Sequence, residues 1–155
     1  MRQHVRPFLA ALGLAVVVLM LAGPRAAADD DSVAIKGTLQ FRPDPSPILV
    51  FPYLIQHNTF SGKLAPVGNV TGSALQVIDL LSGDLVATFT IMTANGDKLF
   101  GAAAGYIDLT TGDIEESFLI YGGTGRFAGV TGFGTGTGGD INGVPVEDII
   151  GTLDL

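Results

Sequence analysis

The sequence contains no cysteine and almost no histidine. Without cysteine the chain cannot form disulfides, thiolate metal sites or a cysteine nucleophile. His57 is the only histidine beyond the first 28 residues, and no G-x-S-x-G elbow is present. A Ser-His-Asp triad would therefore have to use His57, a lone histidine beside the end of an apolar run. Such a residue is usually structural or solvated, and we expect no catalytic role for it.

Basic residues are also scarce. The chain has eight Lys and Arg against fifteen Asp and Glu, and Arg2, Arg6 and Arg25 lie at the amino terminus. Without those three, five basic residues face fifteen acidic ones, which is a formal charge of -10. Such a surface repels nucleic acid and anionic lipid, so we expect neither partner. The simplest purpose of the acidity is solubility.

The first 28 residues have the pattern of a cleavable secretory signal peptide. Two arginines precede an apolar run over 8–21, Gly23-Pro24 follows it, and Ala26-Ala27-Ala28 is a small-x-small cleavage site. The run is shorter than the roughly 20 residues that span a bilayer, which disfavours the alternative of an uncleaved anchor. We expect cleavage after Ala28 and a secreted protein, extracellular or periplasmic, that is free of the membrane.

The remaining residues, 29–155, have the length of a single domain. Twenty of the 22 glycines lie in this part. They stand among regularly spaced apolar residues rather than in polar tracts, which argues against low complexity.

Strand patterns recur through the domain. Apolar residues from Val33 to Phe41 alternate with polar or small ones, which predicts a half-buried strand that ends at the prolines of 42–47. A second apolar run covers 48–56, with Pro52 indicating an edge or bend, and 58–72 is interpreted as loop-rich. Further strands are predicted over 74–81, 85–93, 98–109, 114–121, 130–137 and 144–155.

Tight turns join these strands, including Asn95-Gly96 and Asn142-Gly143 of the hairpin type. About eight short strands joined in this way predict an all-β fold, an eight-stranded antiparallel β-barrel. Closure removes the exposed sheet edges, and eight strands enclose a space that side chains fill or that holds one small ligand. Because the chain ends in a strand pattern, we expect the last strand to pair with the first.

A glycine-rich corner, GGTGRFAG at 122–129, is the most distinctive segment. Part of it matches G-x-G-x-x-A, but a dinucleotide site needs a helix after the loop, and β sequence follows here. We therefore interpret the corner as structural. Phe127 is expected to plug one end of the barrel, and Arg126 to form an ion pair or to bind loop carbonyls. The corner residues are Gly122, Gly123, Gly125, Arg126, Phe127 and Gly129.

The segment after the corner places glycine at every second position. Gly132, Gly134, Gly136 and Gly138 share one face of the predicted strand. A face without side chains either packs tightly against its neighbours or leaves room for a ligand.

The corner and the strands around the turn at 94–97 resemble the allene oxide cyclase and dirigent barrel group, which is calycin-like. They resemble more closely the secreted bacterial proteins of that group that carry a GGTGRFAG corner. The resemblance covers roughly residues 68–138 and implies an eight-stranded barrel. It also implies an activity in which the barrel shapes a reactive apolar molecule, as in cyclisation or directed radical coupling. The functional residues of those families do not map one by one onto this chain.

Adjacent carboxylates occur at Glu115-Glu116 and at Glu147-Asp148. Neighbours on a strand point to opposite faces, so one of each pair can face inward. Glu116 shares a face with Ile114, Phe118 and Ile120, and as a buried acid it would have a raised pKa and be a candidate general acid or ligand contact.

Weaker candidates are also present. Asp79 shares a face with the apolar Leu75 and Val77, and Tyr53, Tyr106 and Tyr121 carry hydroxyls that a ligand can contact. The Asp29–Asp31 run and the Asp140–Gly143 turn only faintly resemble cation loops, because most ligands of a calcium loop are missing. We expect no metal site and no cofactor.

Two functions of different classes remain open. The first is a secreted barrel that binds a small hydrophobic molecule or has a structural role, without catalysis. The second is an isomerase-like, cyclase-like or dirigent-like enzyme. A cavity of a few hundred Å³ with converging acids or tyrosines would favour the enzyme, and a solidly packed interior would exclude it. Barrels of this group often associate, so a homo-oligomer is a further expectation.

Overall fold

The computed structural model describes residues 32–155, which form nine antiparallel strands. The strands are β1 (Ser32–Pro43), β2 (Ile48–Val50), β3 (Tyr53–Ala65), β4 (Gly68–Asp79), β5 (Asp84–Thr93), β6 (Lys98–Ile107), β7 (Ile114–Gly123), β8 (Thr131–Ile141) and β9 (Val144–Asp154). Eight of them close into a barrel, because β1 pairs with both β3 and β9. The short β2 pairs only with the start of β3. The predicted all-β, eight-stranded antiparallel barrel is confirmed, as is the pairing of the last strand with the first.

The predicted signal peptide and its cleavage site lie outside the described residues. Within residues 32–155, no helix is long and apolar enough to cross a membrane.

The alternation of apolar and polar residues decides which side chains fill the barrel. On β1, Ile35 and Leu39 are buried, whereas Lys36 and Thr38 between them are exposed. The same alternation continues around the barrel and produces one continuous apolar core. Each of the eight barrel strands therefore buries one face and solvates the other, as expected for a small antiparallel barrel, whereas the short β2 is exposed throughout.

The prediction of a loop-rich segment over 58–72 is wrong. Most of β3 and the beginning of β4 occupy it, and Asn58, Gly62 and Gly72 lie at inward positions. Asn58 is buried there because its side-chain amide donates a hydrogen bond to Gln76. Gly62 and Gly72 leave space for larger side chains on neighbouring strands. These residues resemble loop residues in the sequence, but here they fit the crowded inner face.

Several predicted strand boundaries also differ, because aspartates begin the turns. The strand predicted to reach residue 81 ends at Asp79, whose Oδ1 accepts a hydrogen bond from the Leu81 backbone N–H at 2.8 Å. The strand predicted to reach residue 109 ends at Ile107, and Asp108 accepts from the Thr110 N–H at 2.7 Å. Such side-chain bonds compete with the sheet ladder and end the strands earlier than hydrophobicity indicates.

Interior phenylalanines lie opposite glycines of the neighbouring strand. A Cβ on each of these glycines would collide with the facing ring. The register pairs are Phe60 with Gly72, Phe89 with Gly101, and Phe118 with Gly134. Pairing a large residue with an empty position fills a narrow barrel without overpacking. This arrangement explains three inward glycines, Gly72, Gly101 and Gly134.

The corner lies at the end of the barrel where β7 stops and β8 begins. Phe127, in a single 3₁₀ turn (Gly125–Phe127), is only 4% exposed and belongs to the core. Arg126 beside it donates a hydrogen bond to the Val67 carbonyl at 3.0 Å, and its Nε lies 3.6 Å from Asp97 Oδ2. The chain thus folds over this end, with Phe127 inside and Arg126 holding two loops together.

Candidate functional site: a carboxyl pair inside the barrel

Two glutamates point into the barrel from strands that are not neighbours. Glu116 lies on the inner face of β7 with Phe118, and Glu147 lies on the inner face of β9 with Ile149. Glu147 is 5% exposed. The inward orientation of Glu116 was an expectation from the sequence. The sequence carries the same signal for Glu147, which lies two and six residues before the buried Ile149 and Leu153.

The glycines of β8 allow these glutamates to meet. In the strand register Gly136 faces Glu116 and Gly138 faces Glu147, so the row of glycines lines the interior. Strands two places apart are separated by about 10 Å, a gap that two long side chains can cross only if nothing projects from the strand between them. A Cβ on Gly136 would collide with Glu147 Oε1 and lie 3.3 Å from Glu116 Cγ.

The two carboxyl groups form a hydrogen bond and differ in proton affinity. Burial raises the pKa of Glu147 to about 9, and the charge of Glu116 and the hydrogen bond to it act in the same direction. Burial also raises the pKa of Glu116, while the hydrogen bond from Glu147 lowers it in part. Two like charges this close in an apolar interior cannot both be ionised at low cost. A pKa of about 9 means that Glu147 keeps its proton at neutral pH and has it available for the hydrogen bond to Glu116.

The pair borders a small apolar cavity. Its volume is about 40 Å³, and its lining includes Leu39, Phe60 and Ala87. The polar residues that line it are Gln76, Glu116 and Glu147. A cavity of this size holds about three water-sized groups. The interior is thus neither packed solid nor open by several hundred Å³, and the acids converge in it.

Two buried oxygens of the barrel interior have no partner within residues 32–155. One is Oε1 of Glu147 and the other is Oδ1 of Asn58. Asn58 uses its amide N–H to bind Gln76, which itself lines the cavity. Buried acceptors are nearly always satisfied in folded proteins, so Glu147 Oε1, which borders the cavity, indicates a site built to receive a donor.

The other predicted site residues lie away from the pair. Tyr106 and Tyr121 are on outward positions of β6 and β7 and are 47% and 54% exposed. His57 is exposed on the outer face of β3. Asp79 also faces outward, because the inner face of β4 carries Ala74, Gln76 and Ile78. Leu75 and Val77, the apolar neighbours of Asp79 in the sequence, belong to the same outer face, which is partly covered.

The fold and this site define a closed antiparallel barrel with a hydrogen-bonded carboxyl pair inside. In the described part of the chain, no group of three or more His, Asp or Glu side chains is arranged to hold a metal ion. A scan of the sequence against protein-family models found no match, and a search of the curated proteins also found none.

Proposed function

We propose that the barrel binds a compact, largely apolar molecule whose single polar group contacts the carboxyl pair. The observation that carries this proposal is Glu147 Oε1, a buried oxygen without a partner beside an apolar cavity. The apolar lining favours the body of such a ligand, and the free oxygen favours a donor group on it.

The energetics support a binding role over a purely structural one. A buried acceptor without a partner costs about 1–3 kcal/mol, and a carboxyl pair costs more because one charge is desolvated with it. Apolar residues of similar volume at these two positions would give a barrel that is at least as stable. The chain instead keeps both glutamates and four glycines on β8 that face inward with them. A ligand that donates to Glu147 offsets the cost.

Propan-1-ol is a suitable first probe because it combines one hydroxyl with three carbons. We expect it to shift the amide signals of residues around the cavity in ¹H–¹⁵N spectra, with about millimolar affinity for so few atoms. Ala87→Val should abolish these shifts, because Ala87 lines the cavity and the added methyls occupy it.

Ala34→Val is the matched control. Ala34 is exposed on the outer face of β1, so this variant should bind propan-1-ol as the wild type does. Shifts that survive in Ala87→Val, or that spread over the outer face, would show that the probe does not enter the barrel and would contradict the proposal.

We propose further that the domain works after export. The support is the amino-terminal pattern of two arginines, an apolar run and an alanine-rich cleavage site. Amino-terminal sequencing of the protein recovered outside the cytoplasm should begin at Asp29, and a chain that retains Met1 would contradict this.

An isomerase-like reaction is the second candidate, in keeping with the proposed kinship to the allene oxide cyclase and dirigent group. The observation that favours it is the unequal carboxyl pair, in which protonated Glu147 is suited to act as an acid and Glu116 as a base. Exchange of the α-protons of acetone, which has as many heavy atoms as propan-1-ol, with deuterated water, lost in Glu116→Gln, would support it. Binding without exchange would leave the first proposal alone.

A further inference from the structure

The proposed binding function leaves the polar group of the ligand open, and the inference made here rests on that function. We infer that the group is a primary ammonium, so that the barrel selects a short alkylammonium ion over a neutral alcohol of the same size. Three features of the interior lead to this choice: the kind of polar atoms left free, the charge they carry, and the size of the space.

The fully buried side-chain atoms that lack a hydrogen-bond partner within residues 32–155 are both acceptors. Glu147 Oε1 and Asn58 Oδ1 have no donor within the described residues, and the Glu116 carboxylate accepts its bond from Glu147. Carboxylate and amide oxygens accept hydrogen bonds, and an ammonium group offers three N–H donors and accepts none. A hydroxyl offers one donor only, so it can satisfy one of these acceptors at a time, and the Gln76 amide in the lining can donate to its oxygen.

The charge of the interior has the sign that an ammonium needs. The inward positions of β7 and β9 carry Glu116 and Glu147, whereas the strands beside them, β1, β6 and β8, present apolar residues and glycines. All lysine, arginine and histidine side chains of residues 32–155 are exposed. They are Lys36, Arg42, His57, Lys63, Lys98 and Arg126.

A buried carboxylate without a cation is expensive, and a hydrogen bond between an ammonium and a carboxylate is among the stronger ones in proteins. When Glu147 keeps its proton, Glu116 is the group that supplies the negative charge, and a bound ammonium lowers the cost of ionising it. A bound ammonium makes the interior neutral, which a neutral ligand cannot do. The selectivity for the cation therefore comes from Glu116, and Glu147 contributes its free oxygen.

The size of the cavity limits the alkyl part. A volume of about 40 Å³ accepts the ammonium and about two carbons, and the half-buried Phe41 and Phe89 border the same space. A chain of three carbons fits with a small movement of either ring. Branched or aromatic amines require the core to open.

The test compares propylammonium with propan-1-ol on the wild-type protein at pH 7. The two probes have the same number of heavy atoms, and amide shifts in ¹H–¹⁵N spectra report binding of each. We expect propylammonium to bind at least about tenfold more tightly, a difference of about 1.4 kcal/mol. In Glu116→Gln that preference should disappear while propan-1-ol still binds. Glu115→Gln removes an exposed acid at the neighbouring position of β7 and should leave both affinities unchanged.

The outcomes separate this inference from the proposed function. If propan-1-ol binds inside the barrel and propylammonium binds no better, the inference of an ammonium ligand is wrong, and the proposed binding of a compact apolar molecule is retained. If neither probe binds, both are wrong. An equal preference for propylammonium in wild type and Glu116→Gln would place the ammonium on the acidic outer surface and would overturn the inference. The wild-type comparison needs no variant to fold.

Discussion

Glu147→Gln is expected to raise the free energy of unfolding by about 2–4 kcal/mol at pH 8 and to flatten its dependence on pH. The folded protein raises the pKa of Glu147 to about 9 from the ordinary value of 4.5. Between these two values the folded state holds a proton that the unfolded chain has lost. Stability is therefore greatest at the acid end of this range and falls as the pH rises. The Glu147 proton contributes at most about 1.4 kcal/mol per pH unit, and the raised pKa of Glu116 acts in the same direction.

Glutamine removes this penalty and keeps the contact. Its amide N–H donates to the Glu116 carboxylate as the protonated acid does, and it has no proton to lose at high pH. Urea unfolding between pH 5 and pH 9 measures the effect. Measurements begin at pH 5 because hydrogen bonds from the Thr110 and Thr111 backbone lower the pKa of Asp108, and that exposed group loses its stabilising interaction only in stronger acid.

Glu115→Gln is the control for the loss of one acidic side chain. Glu115 is exposed and points away from the interior, so its replacement should leave the slope of stability against pH unchanged. A wild-type protein as stable at pH 8.5 as at pH 5 would show that Glu147 is ionised or solvated in the folded state, and it would contradict the shared proton.

The barrel itself was predictable because alternation along a strand is a local property. The pattern from Val33 to Phe41 identifies an inner and an outer face without knowledge of any partner strand. The inward position of Glu116 follows in the same way from Phe118 and Ile120. Alternation does not identify the inner face around Asp79, since the apolar Leu75 and Val77 lie on the outer face of β4.

The carboxyl pair was not predictable because it depends on the register of three strands. Glu116 and Glu147 meet only if β8 places Gly136 and Gly138 beside them, and a slip of one residue would turn the threonines of β8 inward. The same holds for the phenylalanine–glycine pairs, in which each partner is unremarkable in its own strand. The contacts inside the barrel thus depend on the register between strands, whereas the formation of the strands depends on the residue pattern along each one.

Gly138→Ala tests whether the carboxyl pair depends on the close approach of β8 and β9. We expect it to lower the free energy of unfolding by about 3 kcal/mol. A Cβ at this position would collide with the Val146 carbonyl oxygen and lie 2.8 Å from the Cα of Glu147. Both atoms belong to the backbone of β9, so no side-chain rotation relieves the contact and the two strands must separate. The separation also moves Glu147 away from Glu116, so the pH dependence of stability should weaken with it.

Gly122→Ala provides the comparison within the same barrel. A Cβ at Gly122 would meet no atom within 4 Å, and the backbone there is not in the left-handed region. This replacement should change stability by less than about 1 kcal/mol, in either direction. Chemical denaturation of both variants and the wild type at pH 5 and pH 8 gives the measurement. If Gly138→Ala were as stable as Gly122→Ala and kept the wild-type slope against pH, the close approach of β8 and β9 beneath the carboxyl pair would be wrong.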